Sequence, residues 1–412
     1  MRPTSRTLAG FATAAALGLL ATGCIDTSIK VGAVLPLTGV DQVYGEAIHK
    51  GVQLAYDEIG KDRSRETPIE LTVVDSESVP ETAKERLDEV YGNGALAVIG
   101  GVTPDEATAM IAVADSYDRV LLSPSASSPA LTGVSRNFYR IWPSDYSAAN
   151  RMASFASDTL ALETVVVIVE RAFGQGIQGV FQEAFEGAGG KVLESIELPE
   201  LRDPKGKHRD FTGDFRGIVE AVMSLDPDGV YLAAFAKATS AAILELRKQG
   251  YEGQILTTSA FTTSAIADTG QAAEGVVLTQ IFFELDSEHA HVRKFVEGFE
   301  KKYGEMPDLY AAHGYDAMLV MATAVEGRPA LAGEVHKGLR DAVKEFPGVT
   351  GSIQFDERGD VQKFPRVYVI GEDLDLFDYN ERVQRQKDEL RRKREELRRR
   401  LEQIQREAGN GG

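Results

Sequence analysis

The chain has 412 residues, of which 43% are hydrophobic, and its formal net charge at pH 7 is −18. This length exceeds what one hydrophobic core usually serves, so we expect two domains. The acidic balance argues against nucleic acid as a partner, because binding phosphate groups requires clustered Lys and Arg.

Residues 1–23 are typical of a signal peptide. Arg2 and Arg6 precede an apolar run (8–20), which is followed by Ala-Thr-Gly and then Cys24, the only cysteine. The run is too short to span a membrane permanently. The order resembles a bacterial lipoprotein signal, which implies that Cys24 becomes the acylated first residue and anchors the protein to a membrane of the cell envelope, on its periplasmic or extracellular face. The alternative is an ordinary secreted protein with an unmodified cysteine.

From Ile29 onwards, apolar runs alternate with segments of helical spacing. The predicted elements are strand 29–39, helix 44–59, strand 69–75, helix 80–91, strand 95–101, helix 107–117, strands 119–124 and 164–170, helix 175–188, strand 191–196, helix 211–224, strand 228–235, helix 238–249 and strand 254–258. Continuous apolar strands that alternate with helices predict an α/β fold with parallel sheets. In such sheets, ligands bind outside the carboxyl ends of the strands.

The stretch after the fourth strand of this series has an unusual composition. It reads LLSPSASSPALTG (121–133) and carries no charge, although 26% of the chain is charged. Its serine hydroxyls follow the carboxyl end of a buried strand. This position predicts a ligand-binding loop.

The segment 380–407 differs in composition from the preceding chain. It contains eleven Arg and Lys, seven acidic residues and no Gly or Pro. Most of the acids have a base four residues later, which favours a helix. Val383, Leu390, Leu397 and Ile404 recur every seven residues, but they form only half of a coiled-coil seam. A solvated single helix, a helix that binds a protein partner and a helix that contacts anionic lipid all fit this pattern.

We find no constellation that indicates catalysis. His289 and His291 have no third metal ligand at a useful spacing. There is no Gly-x-Ser-x-Gly elbow and no phosphate loop, and residues 171–176 lack the third glycine of a dinucleotide site. The sequence therefore predicts a binding protein with neither cofactor nor metal.

Nine stretches, in this order, carry a resemblance to a known family: VGAVLPLTG (31–39), YGEAIHKGVQLAYDEI (44–59), LTVVDSESVPETA (71–83), AVIGGVTPDEATA (97–109), LLSPSASSPALTG (121–133), FYRIWPSD (138–145), ERAFGQG (170–176), DPDGVYLAAF (226–235) and AHGYDAMLVMATA (312–324). Together they resemble the type I periplasmic substrate-binding proteins of branched-chain amino acid transporters, over roughly residues 29–375.

This resemblance implies two Rossmann-like lobes joined by three crossings, which close over a ligand as a hinge. It places the crossings near Asp145, Leu278–Phe282 and Pro347–Gln354. Lobe I is expected to contain residues 29–144 and 279–349, and lobe II residues 145–278 and 350–376. The charged helix 380–407 follows.

The resemblance also implies a set of ligand-binding residues. Its small-residue loop, which binds a ligand carboxylate, falls on Ser125, Ala126 and Ser127. An acid for an amino group falls on Asp145, which could equally cap the hinge. The other residues expected at the site are Tyr44, Thr103, Phe173, Phe235 and Ser259.

Two positions depart from the family pattern. Its serine after the third strand falls on or beside Pro104, which has no N–H to donate. The surrounding Thr103-Pro104-Asp105-Glu106 predicts a capping box, in which the acids oppose a carboxylate ligand unless they point away. Ser259 stands where amino-acid binders of the family commonly carry an acid. An α-amino acid would thus lose one binding partner for its carboxylate and one for its ammonium group.

The sequence predicts a membrane-anchored solute-binding lipoprotein that captures a small polar ligand, an amino acid or a derivative, and delivers it to an ABC permease. The alternative is an envelope lipoprotein of the same fold that resembles activators of peptidoglycan synthases and acts as a protein-interaction module. The charged helix favours that alternative.

Overall fold

The computed structural model describes residues 28–198, 215–281 and 283–381, together with residues 383, 387, 390–398 and 400. Within these ranges, strands and helices alternate in the predicted order. The first strand is shorter than predicted and ends at Leu35, because Pro36 has no N–H for a continuing ladder.

Among the described residues, the smaller sheet has five parallel strands, in the spatial order β2-β1-β3-β4-β5. They are β1 Ile29–Leu35, β2 Ile69–Asp75, β3 Ala97–Gly100, β4 Val120–Ser123 and β5 Phe138–Arg140.

Seven described strands form the larger sheet, in the spatial order β14-β13-β10-β9-β8-β6-β7. They are β6 Thr164–Val169, β7 Lys191–Glu197, β8 Gly229–Ala233, β9 Gln254–Thr258, β10 Val277–Ile281, β13 Pro365–Ile370 and β14 Leu376–Asp378. The first five are parallel, whereas β13 and β14 are antiparallel additions at one edge. A separate hairpin consists of β11 Phe346–Gly348 and β12 Gly351–Ile353.

Helices cover both faces of each sheet. They are α1 Gln42–Ile59, α2 Pro80–Gly92, α3 Pro104–Tyr117, α4 Asp145–Ser154, α5 Arg171–Gly187, α6 Phe215–Leu225, α7 Ala236–Lys248, α8 Thr263–Thr269, α9 Ala290–Tyr303, α10 Leu309–Val325 and α11 Ala332–Asp341. Helices α1 and α10 pack so closely that a Cβ on Gly51 would lie 1.9 Å from the carbonyl oxygen of Ala311. The buried apolar side chains of helices and strands form the cores of two lobes.

The chain passes between the two sheets three times, after β5, after β10 and before β13. Two of the predicted boundaries need correction. Strand β10 stays in the larger sheet up to Ile281, so a boundary after Leu278 would cut it. Residues 350–363, expected in lobe II, instead contact the smaller-sheet lobe, because Asp360 forms an ion pair with Arg140 of β5 and Thr350 Oγ1 donates to Asp316 of α10.

The described residues between 380 and 400 are helical, and Leu390 and Leu397 are each 60% exposed. The remainder of the predicted helix 380–407, the signal peptide and Cys24 lie outside the described residues. Within the part of the chain that the structure describes, no helix has both the length and the apolar character to cross a membrane.

Candidate functional site

A cavity lies between the two lobes, at the carboxyl ends of strands from both sheets. It encloses about 20 Å³, the space of roughly one water molecule, so the cleft is closed. Seven of the nine residues predicted at the site line it, whereas Ala126 and Asp145 do not. The lining residues are Tyr44, Val102, Thr103, Pro104, Ser125, Ser127, Trp142, Phe173, Phe235, Ser259, Ala260 and Tyr310.

The loop after β4 places two serine hydroxyls at the cavity. The Ser125 hydroxyl donates to the carbonyl oxygen of Val102 at 2.7 Å, and the Ser127 hydroxyl donates to Asp145 Oδ2 at 2.5 Å. Between them, Ala126 is buried and its N–H donates to Ser123 Oγ at 2.9 Å. Both lining hydroxyls therefore give their hydrogens to protein acceptors rather than to the cavity.

Asp145 makes two hydrogen bonds to the loop after β4. Its backbone N–H donates to the carbonyl oxygen of Ser127 at 2.8 Å, in addition to the side-chain bond. Asp145 is 5% exposed, and burial raises its pKa to about 6, against the opposing effects of the Ser127 hydrogen bond and the Arg140 guanidinium. As the first residue of α4, it joins the ligand loop to the first crossing.

The start of α3 is capped as the sequence predicts, but with one different partner. Thr103 Oγ1 accepts from the N–H of Glu106 at 3.4 Å. The Glu106 carboxylate is fully buried and accepts from Ser76 Oγ at 2.6 Å and from the N–H of Val102 at 3.2 Å. A carboxylate of the chain itself thus occupies the end of the helix where an anion would be attracted.

Tyr44 links the two lobes across the cavity. Its hydroxyl donates to the carbonyl oxygen of Ala260 and accepts from the N–H of Ala236, both at 2.8 Å. Tyr310 makes a longer contact of the same kind, from its hydroxyl to the carbonyl oxygen of Ser259 at 3.4 Å. These hydrogen bonds join the two lobes directly.

Trp142 and Tyr310 also line the cavity but are not among the residues predicted from the sequence. Their rings stack with centroids 5.0 Å apart. The sequence contained a signal for both residues. Trp142 is the only tryptophan and lies in the stretch 138–145, which resembles the family, and Tyr310 lies two residues before the stretch 312–324, which also resembles it.

The two histidines singled out in the sequence are not part of this cavity. His289 is the residue before α9, and His291 Nε2 lies 3.3 Å from the carbonyl oxygen of Gly348. Across the described residues, no group of three or more His, Cys, Asp or Glu side chains is arranged to hold a metal ion.

Most of the chain matches a known protein family. Residues 28–370 match the model of a family described as periplasmic binding proteins. The leucine-, isoleucine-, valine-, threonine- and alanine-binding protein of Pseudomonas aeruginosa is 23% identical over 368 residues, which cover 86% of this chain and 92% of that protein. Leu/Ile/Val-binding protein homolog 3 of Brucella melitensis is 23% identical over 361 residues and 94% of its length.

Solved structures show the same architecture. A leucine-binding protein from Thermotoga maritima superimposes with a TM-score of 0.76 at 25% identity, covering 85% of this chain and 97% of that one. A solute-binding protein of an ABC transporter from R. palustris, in complex with benzoate, gives a TM-score of 0.75 at 22% identity, covering 85% and 95%.

Proposed function

This chain belongs to the family of periplasmic binding proteins, and we propose that it captures a small polar solute between its lobes and delivers it to an ABC permease. Membership confirms the type I fold and the prediction of a binding protein rather than an enzyme, since the family consists of substrate-binding components of ABC transporters. The proposed ligand is an amino acid or a derivative of one.

The observation that carries this proposal is the cavity itself. Residues that follow strands β3 and β4 of one sheet and β6, β8 and β9 of the other converge on it. Ligands of open parallel sheets bind at this end of the strands. We propose that lobe I comprises residues 29–144 and 283–363, that lobe II comprises residues 145–198, 215–281 and 364–376, and that the lobes part to admit the solute.

Thermal denaturation with a panel of amino acids and their amides tests the proposal. A bound solute raises the melting temperature, because it binds the folded state alone. The Ser125→Ala variant should lose part of that rise, whereas Ser116→Ala, on the exposed face of α3, should keep it. Failure of every solute to stabilise the wild-type protein would contradict solute capture.

We also propose that Cys24 carries a lipid anchor. The support is the basic start, the short apolar run and the small residues before this only cysteine. The Cys24→Ser variant should leave the membrane fraction and appear in the soluble fraction. Equal membrane retention of both proteins would contradict the anchor.

A protein-interaction role is the second candidate. It is favoured by Leu390 and Leu397, which are exposed on the charged C-terminal segment. Deletion of residues 380–412 separates the two roles, because solute binding should survive it while capture of a protein partner should fail. Loss of solute binding in the deletion variant would contradict the prediction that the two roles depend on different parts of the chain.

A further inference from the structure

The wall of the inter-lobe cavity is built largely from aromatic rings. Five of the twelve lining residues are aromatic, and none of the twelve carries a formal charge. The rings contact one another in series, with centroid distances of 5.0 Å for Trp142–Tyr310, 4.8 Å for Tyr310–Tyr44, 5.8 Å for Tyr44–Phe235 and 4.8 Å for Phe235–Phe173. Because the face of an aromatic ring attracts a cation, this wall favours apolar and cationic groups over anionic ones.

The serine hydroxyls at the cavity act as acceptors in this arrangement. Ser125 donates its hydrogen to Val102 and Ser127 donates to Asp145, so each oxygen has lone pairs left for a ligand N–H. The hydroxyls of Thr103 and Ser259 are uncharged, and Thr103 Oγ1 accepts from the N–H of Glu106. A carboxylate would find no positively charged partner among the lining residues.

Three buried carboxylates contact the lining residues directly. Glu106 accepts from the N–H of Val102 at 3.2 Å, Asp145 from Ser127 Oγ at 2.5 Å and Glu170 from the N–H of Phe235 at 2.9 Å. They are 0%, 5% and 6% exposed. Asp145, with a pKa of about 6, is ionised at pH 7. A charge buried at this depth is poorly screened, so it attracts a cation in the cavity and repels an anion, with the Arg140 guanidinium opposing this effect.

We infer that the cleft selects a small primary amine of the form R–CH₂–NH₃⁺, with an apolar group R and no carboxylate. The closed cavity encloses only about 20 Å³, so the lobes must part to accommodate the amine. Its ammonium group then donates to the serine oxygens and faces the aromatic rings, and R packs against the remaining rings. The ionised Asp145 carboxylate offsets part of the cost of removing the ammonium from water. The inference rests on the proposed solute-binding function and names the class of solute.

A matched panel tests the inference by calorimetry. It holds R constant, as isobutyl or benzyl, and varies the polar group among R–CH₂–NH₃⁺, R–CO–NH₂, R–COO⁻ and R–CH(NH₃⁺)–COO⁻. The isobutyl series is 3-methylbutylamine, 3-methylbutanamide, 3-methylbutanoate and leucine; the benzyl series is 2-phenylethylamine, phenylacetamide, phenylacetate and phenylalanine. We expect the amine of at least one series to bind about tenfold or more tightly than its carboxylate and amino acid, a margin of about 1.4 kcal/mol.

Each result of the panel has a separate meaning. Tighter binding of a carboxylate or an amino acid would overturn the inference and leave solute capture standing. Binding of the amide alone would also overturn it, because the cationic charge would then contribute nothing. Binding of none of the eight compounds would count against solute capture itself.

Two variants test the cationic contribution. Asp145→Asn keeps the acceptor for Ser127 and removes the charge, so amine binding should weaken about tenfold more than amide binding. Phe235→Leu keeps an apolar wall and removes one ring face, which should weaken amine binding about fivefold. Phe364→Leu is the control, because Phe364 is 82% exposed and lies outside the cavity. Equal amine affinity in all three variants would overturn the inference, and melting curves establish that each variant is folded.

Discussion

The Tyr44 hydroxyl donates to the carbonyl oxygen of Ala260 at 2.8 Å and so joins α1 of one lobe to the end of β9 in the other. The same oxygen accepts from the N–H of Ala236. One side chain thus makes two hydrogen bonds across the cleft.

Replacing Tyr44 with Phe should loosen the closed cleft. Each lost hydrogen bond is worth about 1 kcal/mol, so the ratio of open to closed molecules should rise roughly 30-fold. Small-angle scattering of the ligand-free protein measures this ratio and should show a larger radius of gyration than the wild type has. Tyr56→Phe is the control, since the Tyr56 hydroxyl donates to the carbonyl oxygen of Ile69 within one lobe. An equal radius of gyration in Tyr44→Phe and Tyr56→Phe would show that Tyr44 does not hold the cleft closed.

Asp145 should make stability depend on pH. Its pKa is raised from 3.8 to about 6 by burial, so the folded protein binds an extra proton between these values and loses stability as the pH rises through them. The loss corresponds to about 3 kcal/mol. Asp145→Asn has no such proton, so its stability relative to the wild type should improve by about that amount between pH 4 and pH 7.

Urea denaturation at several pH values measures the effect of Asp145→Asn. Asp373→Asn serves as the control, because Asp373 lies exposed in the turn before β14. If the free energies of unfolding of Asp145→Asn and the wild type differed by a constant amount between pH 4 and pH 7, the pKa of Asp145 would not be raised.

The order of strands and helices could be predicted from the sequence because each element carries its own apolar pattern. Strand β2, for example, begins and ends at the predicted residues, Ile69 and Asp75. The position of Ser125 and Ser127 at the cavity could be predicted as well, since it follows from their place after a parallel strand.

The direction of the serine hydrogen bonds could not be predicted in the same way. Ser125 bonds to a residue 23 positions away and Ser127 to one 18 positions away, and such acceptors are fixed by tertiary packing. The third crossing was misplaced for a similar reason. Asp360 pairs with Arg140 across 220 residues, a contact with no local pattern in the sequence.

Two helical glycines should respond in opposite ways to alanine. A Cβ at Gly51 would press on the backbone of α10, so Gly51→Ala should destabilise the protein by about 3 kcal/mol. Gly179 lies on the exposed side of α5 with nothing within 4 Å of its added Cβ, so Gly179→Ala should stabilise it by about 0.8 kcal/mol through helix propensity. Thermal and urea denaturation of both variants test this pair. A stable Gly51→Ala variant would show that α1 and α10 can separate at little cost.

The ion pair between Arg140 and Asp360 should anchor the third crossing to lobe I. Arg140 is fully buried, and its Nε and Nη2 donate to the two oxygens of Asp360 at 2.7 Å and 2.9 Å. Asp360→Ala leaves the guanidinium buried without a carboxylate, which should cost about 3–5 kcal/mol of stability. The exposed Asp375 provides the control, Asp375→Ala.

A variant that lacks both Arg140 and Asp360 separates the effect of an unpaired charge on stability from the effect of lost packing. The double variant Arg140→Met with Asp360→Ala leaves no unpaired charge, so urea denaturation should find it more stable than Asp360→Ala alone. If the double variant were as unstable as the sum of the two single changes, the guanidinium and the carboxylate would act independently. The position of residues 350–363 on lobe I would then depend on other contacts, such as the bond from Thr350 to Asp316 of α10.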